Sequence, residues 1–183
     1  MTRKSAALPF ALLIAAAAPA FAQTPAAAPP APTFSAEECK VWDRELAFAD
    51  SVAKHDAKGF NDFVHEDAVF DATSPQPTRG RAAIAKNWAG IIDASSLILA
   101  WYPTMVVIGG EDDIAFSSGP ALLENPDPKA KDRYGLVHFT STWHRDADGT
   151  WRVLFDAGSH ARPATAEEVA AFRAGRKACS PVR

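Results

Sequence analysis

The hydrophobic pattern changes period once, near residue 96, and that change limits the fold more than any other feature. Before it, apolar residues recur at helical spacing. Ser35 with Glu38 three residues on is a capping box. Val41, Trp42, Leu46, Phe48, Ala49, Val52 and Ala53 follow, which predicts a helix from about 36 to 54. His55-Asp56 ends it. Phe60, Phe63 and Val64 predict a short second helix, and 68–72 a strand. TSPQPTRG is a loop, and Ile84, Trp88, Ile91 and Ile92 mark a third helix from Arg81. Beyond residue 96 the period is two. Residues 97–108 are β-rich, 109–112 form a turn, and 114–123, 134–145 and 151–160 read as strands. Asp148-Gly149 is a hairpin signal between the last two. Thr165 with Glu168 opens a last helix that ends at Gly175. Helices followed by consecutive hairpins predict an α+β domain. Its curved antiparallel sheet wraps over the helices and leaves a hollow at the open end.

The first 22 residues stand apart from that domain. Arg3 and Lys4 precede an apolar run from Ala6 to Ala18, and Ala20-Phe21-Ala22 is an A-x-A cleavage site. This predicts a signal peptide over 1–22 and a secreted, periplasmic protein beginning at Gln23. No apolar run reaches the roughly 18–20 residues that span a bilayer, so no membrane association is expected after cleavage. Residues 23–33 are an Ala/Pro-rich linker, too poor in apolar bulk to bury a core. The single folded domain is expected over 34–183. Loss of Arg3 and Lys4 takes the net charge from −3 to −5. Such a charge gives no basic field for a nucleic-acid backbone.

Cys39 and Cys179, the only cysteines, lie near the two ends of this domain. In an oxidising compartment they are expected to form one disulfide, the alternative being two separate buried thiols. A bridge closing so long a loop is worth roughly 4–5 kcal/mol in the chain-entropy model.

The segment order and four phrases carry a resemblance. They are HDAKGFNDFVHEDAVFDA, RGRAAIAKNWAGI, LAWYPTMVVIGGEDDIAFSSG and YGLVHFTSTWHRDADGTWRVLFDAG. Over about residues 37–160 the chain resembles the nuclear transport factor 2-like superfamily, which includes ketosteroid isomerases and SnoaL-like polyketide cyclases. Within it, the chain resembles a branch known only as a domain of unknown function. The resemblance implies the cone-shaped fold, a hollow lined by the concave sheet face, and pairing into homodimers. It implies no particular activity, because this fold hosts enzymes, binders and interaction modules.

The hairpin supplies the candidate site. Loops of two or four residues both place Phe139, Ser141 and Trp143 on one face with Leu154 and Asp156. The other face then carries His138, Thr140, Thr142, His144, Val153 and Phe155; an odd loop or a bulge changes this. Asp156, late in a strand between Phe155 and Ala157, is either a general base in an apolar cleft or a structural acceptor. His138 is a second candidate acid or base. Of five tryptophans, Trp42 and Trp88 are read as core, Trp101 and Trp143 as pocket walls. The expected ligand-binding set is therefore Trp101, Phe139, Ser141, Trp143 and Leu154. No histidine pair has short metal spacing, and no phosphate-loop or dinucleotide motif is present, so no metal or cofactor is expected. The expected activity is binding of a small apolar organic molecule. The rivals are an acid–base isomerase, cyclase or hydratase using Asp156, and a non-catalytic homodimer joined through the exposed sheet face.

Overall fold

A computed structural model describes residues 32–182. Residues 1–31, with the expected signal peptide and most of the linker, lie outside them. The elements run α1 (Ala36–Ala53), α2 (Ala57–Phe63), β1 (Val64–Phe70), β2 (Thr78–Arg79), α3 (Arg81–Ile92), β3 (Ile98–Trp101), β4 (Met105–Gly109), β5 (Ile114–Glu124), β6 (Tyr134–Arg145), β7 (Trp151–Gly158), β8 (Arg162–Pro163) and α4 (Ala166–Gly175). Both capping boxes are closed. Ser35 accepts from the Glu38 N–H and Thr165 from the Glu168 N–H, and each Glu side chain returns the bond to its cap.

One curled sheet takes all eight strands, in the order β2-β1-β7-β6-β5-β3, with β4 also on β5 and β8 on β6. It is mixed, where a wholly antiparallel sheet was expected. β1 runs parallel to β7, joining Phe70 to Asp156. A parallel pair needs a long crossover, and helix α3 with the whole meander supplies it. The β-rich stretch 97–108 is two strands. Both lie on β5, with Trp101 opposite Ala121 and Met105 opposite Ser118. Between them, Tyr102, Pro103 and Thr104 turn a corner over Gly119 and Pro120. A Cβ at Gly119 would stand 2.2 Å from the Tyr102 carbonyl oxygen, so that corner needs glycine there.

The helices pack on one face. Phe48 of α1 lies at the centre of an aromatic core, 5.3 Å from Phe60 and 5.2 Å from Trp101 between ring centroids. At the far end, Cys39 is bonded to Cys179, and the Trp42 Nε1–H donates to the Lys177 carbonyl at 3.1 Å. The expected disulfide therefore ties the C-terminal segment to the first helix.

The β6–β7 hairpin departs from the simple registers in two places that offset one another. Asp146 to Thr150, five residues, separate the paired Arg145 and Trp151. Leu154 is then an extra residue on β7, because Trp143 faces Val153 while Thr142 faces Phe155. Val153, expected on the outer face, is fully buried beside Trp143. Past the bulge the two-residue-loop register is restored, and Ser141 faces Asp156 as expected.

Candidate functional site

A cavity of about 190 Å³ opens between α3 and the curled sheet. Trp88 and Ile91 form one side of it. Leu97, Leu99 and Trp101 form the second, and Ala121, Leu123, Val137 and Phe139 the floor. It has room for about six waters at liquid density, so a ligand filling it is compact, on the scale of a single ring. Only two polar side chains line it, Asp71 and Asp156.

Asp156 is delivered to the cavity by the restored register of β7. Its Oδ2 lies 3.0 Å from the Ser141 Oγ. Burial pushes its carboxyl well above the usual carboxylate range. The nearby Glu45 and Asp71 charges push the same way, and the Ser141 bond pulls back less. Its carboxyl therefore keeps its proton to higher pH than an ordinary aspartate, and in that form it can donate a hydrogen bond into the cavity. Asp71 follows the end of β1 in the left-handed region, with φ 54°, and is exposed at the rim. Asp is among the few side chains that tolerate that conformation.

Beneath the cavity floor is a residue that sequence reasoning missed. Glu45, in the middle of α1, is fully buried. Its Oε1 accepts the Trp101 indole N–H at 2.6 Å. Its Oε2 accepts the Trp143 indole N–H at 2.9 Å and the Ser117 hydroxyl. Burial raises its carboxyl above the ordinary range, against the pull of the Ser117, Trp101, Trp143 and Ser141 donors. The available signal was its position: Val41, Glu45, Phe48 and Val52 share the buried stripe of one helix.

The expected ligand-binding residues separate on this basis. Trp101 and Phe139 line the cavity together with Asp156. Trp143 and Ser141 lie one layer deeper, at 0% and 1% exposure, and serve Glu45 and Asp156 instead. Leu154, as the bulged residue, is not among the lining residues. His138 is exposed on the opposite sheet face, with its backbone N–H bonded to Ser159 Oγ. Trp88, read as core, is half-buried and forms a cavity wall.

On the outer face, the imidazoles of His65 and His144 and the Asp146 carboxylate bring ligand-type atoms within 4.8 Å of one another. His65 Nδ1 accepts the Asp67 N–H at 3.0 Å, which puts the imidazole proton on Nε2, facing Asp146. His144 Nδ1 lies 2.8 Å from the same carboxylate oxygen, and Arg152 binds the other. Burial raises the Asp146 carboxyl, but these donors outweigh it and the net direction is down. The cluster is thus a carboxylate hydrogen-bonded by His144 and Arg152, with His65 Nε2 3.5 Å away.

The family model for the SnoaL-like domain matches residues 46–154. The chain belongs to the SnoaL-like domain family. Solved structures share the architecture at low identity. A ketosteroid isomerase-like protein from Erwinia carotovora atroseptica superposes with a TM-score of 0.57 at 14% identity, over 69% of this chain and 97% of that one. A nuclear transport factor 2-like protein of unknown function from Pseudomonas putida gives 0.55 at 17%, over 81% and 96%. A nuclear transport factor 2-like superfamily protein from Salmonella enterica gives 0.55 at 15%, over 71% and 93%. No curated protein matches the chain in sequence. Identities this low establish the SnoaL-like fold and leave the activity to the site.

Proposed function

We propose that this SnoaL-like protein binds a compact, mostly apolar organic molecule that carries one hydrogen-bond-accepting oxygen, such as a cyclic ketone. The observation that carries the reading is an apolar cavity interrupted by the Asp156 carboxyl, whose proton affinity burial raises. Apolar walls supply affinity, and one donor sets orientation. The Cys39–Cys179 disulfide supports an oxidising compartment, and with the signal-like N-terminus we assign the protein to the periplasm. Among the described residues no helix is long and apolar enough to cross a membrane. The test is mass spectrometry of small molecules carried by the natively exported protein, with a Leu99→Trp variant that fills the cavity. We expect a ligand in the wild type and none in the variant. Equal recovery from both would sink the reading.

Asp71 favours a second reading, an acid–base enzyme. Asp71 would take a proton from the carbon next to a ligand carbonyl, while Asp156 donates to the oxygen on which charge grows. The raised proton affinity of Asp156 favours this donor role over that of the base. Deuterium exchange into cyclohexanone, fast in wild type and lost in Asp71→Asn, is the expected result; no exchange in wild type leaves the binding protein.

For assembly we propose a homodimer through the outer sheet face. Val107 faces Phe116 on β5, Phe116 faces Thr142 on β6, and Thr142 faces Phe155 on β7, giving a row with three exposed apolar side chains. A monomer by light scattering at tens of micromolar, unchanged by Phe155→Glu, would contradict it.

A further inference from the structure

The concave face continues past the apolar cavity. Leu97 and Leu123 line that cavity and also a second, open pocket of about 310 Å³, whose other walls include Asn125, Arg133, Gly135 and Arg162. The sheet register places the two side by side. Trp101, Ala121 and Val137 form one rung across β3, β5 and β6. Leu99, Leu123 and Gly135 form the next, with Pro163 of β8 beyond Gly135. A Cβ at Gly135 would lie 3.7 Å from Leu123 and 3.5 Å from the Arg162 carbonyl oxygen, so it would stand on the same side of the sheet as Leu123. Glycine leaves bare backbone there, and the groove runs over it from the apolar cavity to a polar mouth. We propose that this mouth is a second ligand subsite, in which Arg133 holds a carboxylate on an arm that leaves the cavity past Leu97 and Leu123.

The Arg133 guanidinium is the donor with capacity left. An arginine carries five N–H groups. Among the described residues, the one side-chain hydrogen bond of Arg133 runs from Nη2 to Glu124, and its buried Nε–H has no partner. Arg133 lies one rung beyond Gly135, about 7 Å along an extended strand. Its side chain is 35% exposed and lines the mouth. Arg162, also in the lining, is already matched: its Nη2 meets Glu168 at 2.6 Å and its Nη1 the Pro163 carbonyl at 3.3 Å. Glu124 is shared. It pairs with Arg133 and, at 3.6 Å, with Arg173 of α4. One carboxylate thus serves two guanidiniums. Asp132 lines the mouth as well, but it is exposed and forms no ion pair with these arginines among the described residues. Water screens a charge in that setting. Within the paired network the excess is a single positive charge, which suits a carboxylate better than a phosphate dianion.

Arg133 is also held in place. Its guanidinium lies over the Tyr134 ring, 5.3 Å from the centroid, and that of Arg173 lies 5.6 Å from the same ring. Glu124 and Tyr134 together fix the guanidinium before a ligand arrives, which lowers the entropy lost on binding. The two compartments then read a ligand with two ends. A ring with its oxygen toward Asp156 fills the apolar cavity, and a carboxylate sits in the mouth. The ring end rests on the cavity reading proposed above. The carboxylate subsite does not, since neither Arg133 nor Gly135 lines the cavity.

The test is isothermal titration calorimetry of the full chain at neutral pH. The probes are cyclohexanones that carry a butanoate or an octanoate arm opposite the carbonyl, each beside its methyl ester. The two arms bracket the path from the cavity to Arg133. We expect at least one acid to bind about tenfold more tightly than its ester, the scale of one charge-assisted bond at a part-exposed site. That ratio should fall to about one in Arg133→Gln, and likewise in Gly135→Val, whose added side chain fills the mouth. Near-UV circular dichroism checks the fold of both variants. If Arg133→Gln does not fold, Gly135→Val decides alone. Acids that bind no more tightly than their esters in the wild type, or a ratio unchanged in the folded variants, overturn the proposal. The cavity-filling Leu99→Trp variant separates the two readings. An acid preference that survives in it keeps the mouth and removes the cavity reading. Esters that bind the wild type, with no gain for the acids, keep the cavity reading and remove the mouth.

Discussion

Glu45 and Asp156 are both carboxyl groups withdrawn from bulk water, one in the middle of a helix and one near the end of a strand, with Ser141 between them. Around Glu45 the fold places two indoles and a hydroxyl from three different strands. Around Asp156 it places one hydroxyl, a second acid at the rim, and apolar walls. Burial raises the proton affinity of both. The difference lies in the supply of donors. Where it is full, the carboxyl is bonded on both oxygens as part of the core. Where it is thin, the same side chain keeps an open hydrogen-bonding face toward the cavity. A buried acid therefore marks a binding site by what its surroundings leave unsatisfied, and burial alone does not distinguish the two roles.

The comparison breaks most visibly at Glu45. Glu45→Ala strands the Trp101 indole N–H and the Ser117 hydroxyl, leaves Trp143 only its bond to Ser117 Oγ, and opens a void beside Trp101 and Trp143. The expected loss is about 4 kcal/mol, from orphaned donors and the emptied volume together. Urea unfolding by tryptophan fluorescence measures it. A loss near that of an ordinary surface substitution would mean the cage is not holding the helix to the sheet.

The two acids also differ in how far the sequence reveals them. Asp156 was legible because strand alternation and the hairpin signal bring it to the same face as Phe139 and Ser141. Even so, the register arose from an odd loop and a bulge at Leu154 that cancel, and neither has a local signature in the sequence. The same bulge turned Val153 inward and left Leu154 off the cavity wall. Glu45 sits in the run Asp43-Arg44-Glu45, which looks like the solvent face of a helix. Its donors are 56, 72 and 98 residues away along the chain. No local pattern reports partners at that range, and only its place on the stripe of Val41, Phe48 and Val52 betrays it. The fold order was readable because helical and strand periods are local. The sheet's parallel β1–β7 contact was not, because it depends on where a long crossover returns. Of the cavity walls, Trp101 and Phe139 were predicted positions, whereas Trp88 and Ile91 of α3, Leu97 and Leu99, and Ala121, Leu123 and Val137 were not, because their docking is a tertiary choice.

A gentler change sharpens the comparison by removing one donor. Trp101→Phe keeps an aromatic wall on the cavity and takes the indole N–H from Glu45 Oε1. A lost hydrogen bond to a charged group predicts a cost of roughly 1.5–3 kcal/mol. The cost should depend on pH with a definite sign. With one donor fewer, the folded-state proton affinity of Glu45 rises further above its unfolded value. Stability is then present at low pH and lost as pH rises through the folded value. The deficit of the variant relative to wild type should be larger at about pH 8 than at about pH 5. Parallel urea curves at the two values test this. A deficit independent of pH would place the effect in packing and remove Glu45 from it.

The smallest effect belongs to Asp156, and its smallness carries the information. An unfolded Asp titrates near about pH 3.9. In the fold, burial moves the Asp156 carboxyl well above that range. Between the two values the folded chain keeps a proton that the unfolded chain releases. Wild-type stability should therefore decline from about pH 4 upward and level off only above the folded value. Asparagine does not titrate, so Asp156→Asn removes this part of the decline. At about pH 4 both proteins hold a neutral group there, and the variant should lie within about 1 kcal/mol of wild type, the scale of one altered neutral hydrogen bond to Ser141. As pH rises the gap should close or reverse in favour of the variant. Glu45 and Asp71 remain in both proteins, so the difference between the two stability profiles isolates Asp156 to first order. Urea midpoints across the range give those profiles. A cost that instead grows with pH would mean that Asp156 is an anion stabilised by its surroundings. The contrast between a satisfied core acid and an open cavity acid would then be lost, and with it the reason to place a ligand's oxygen at Asp156.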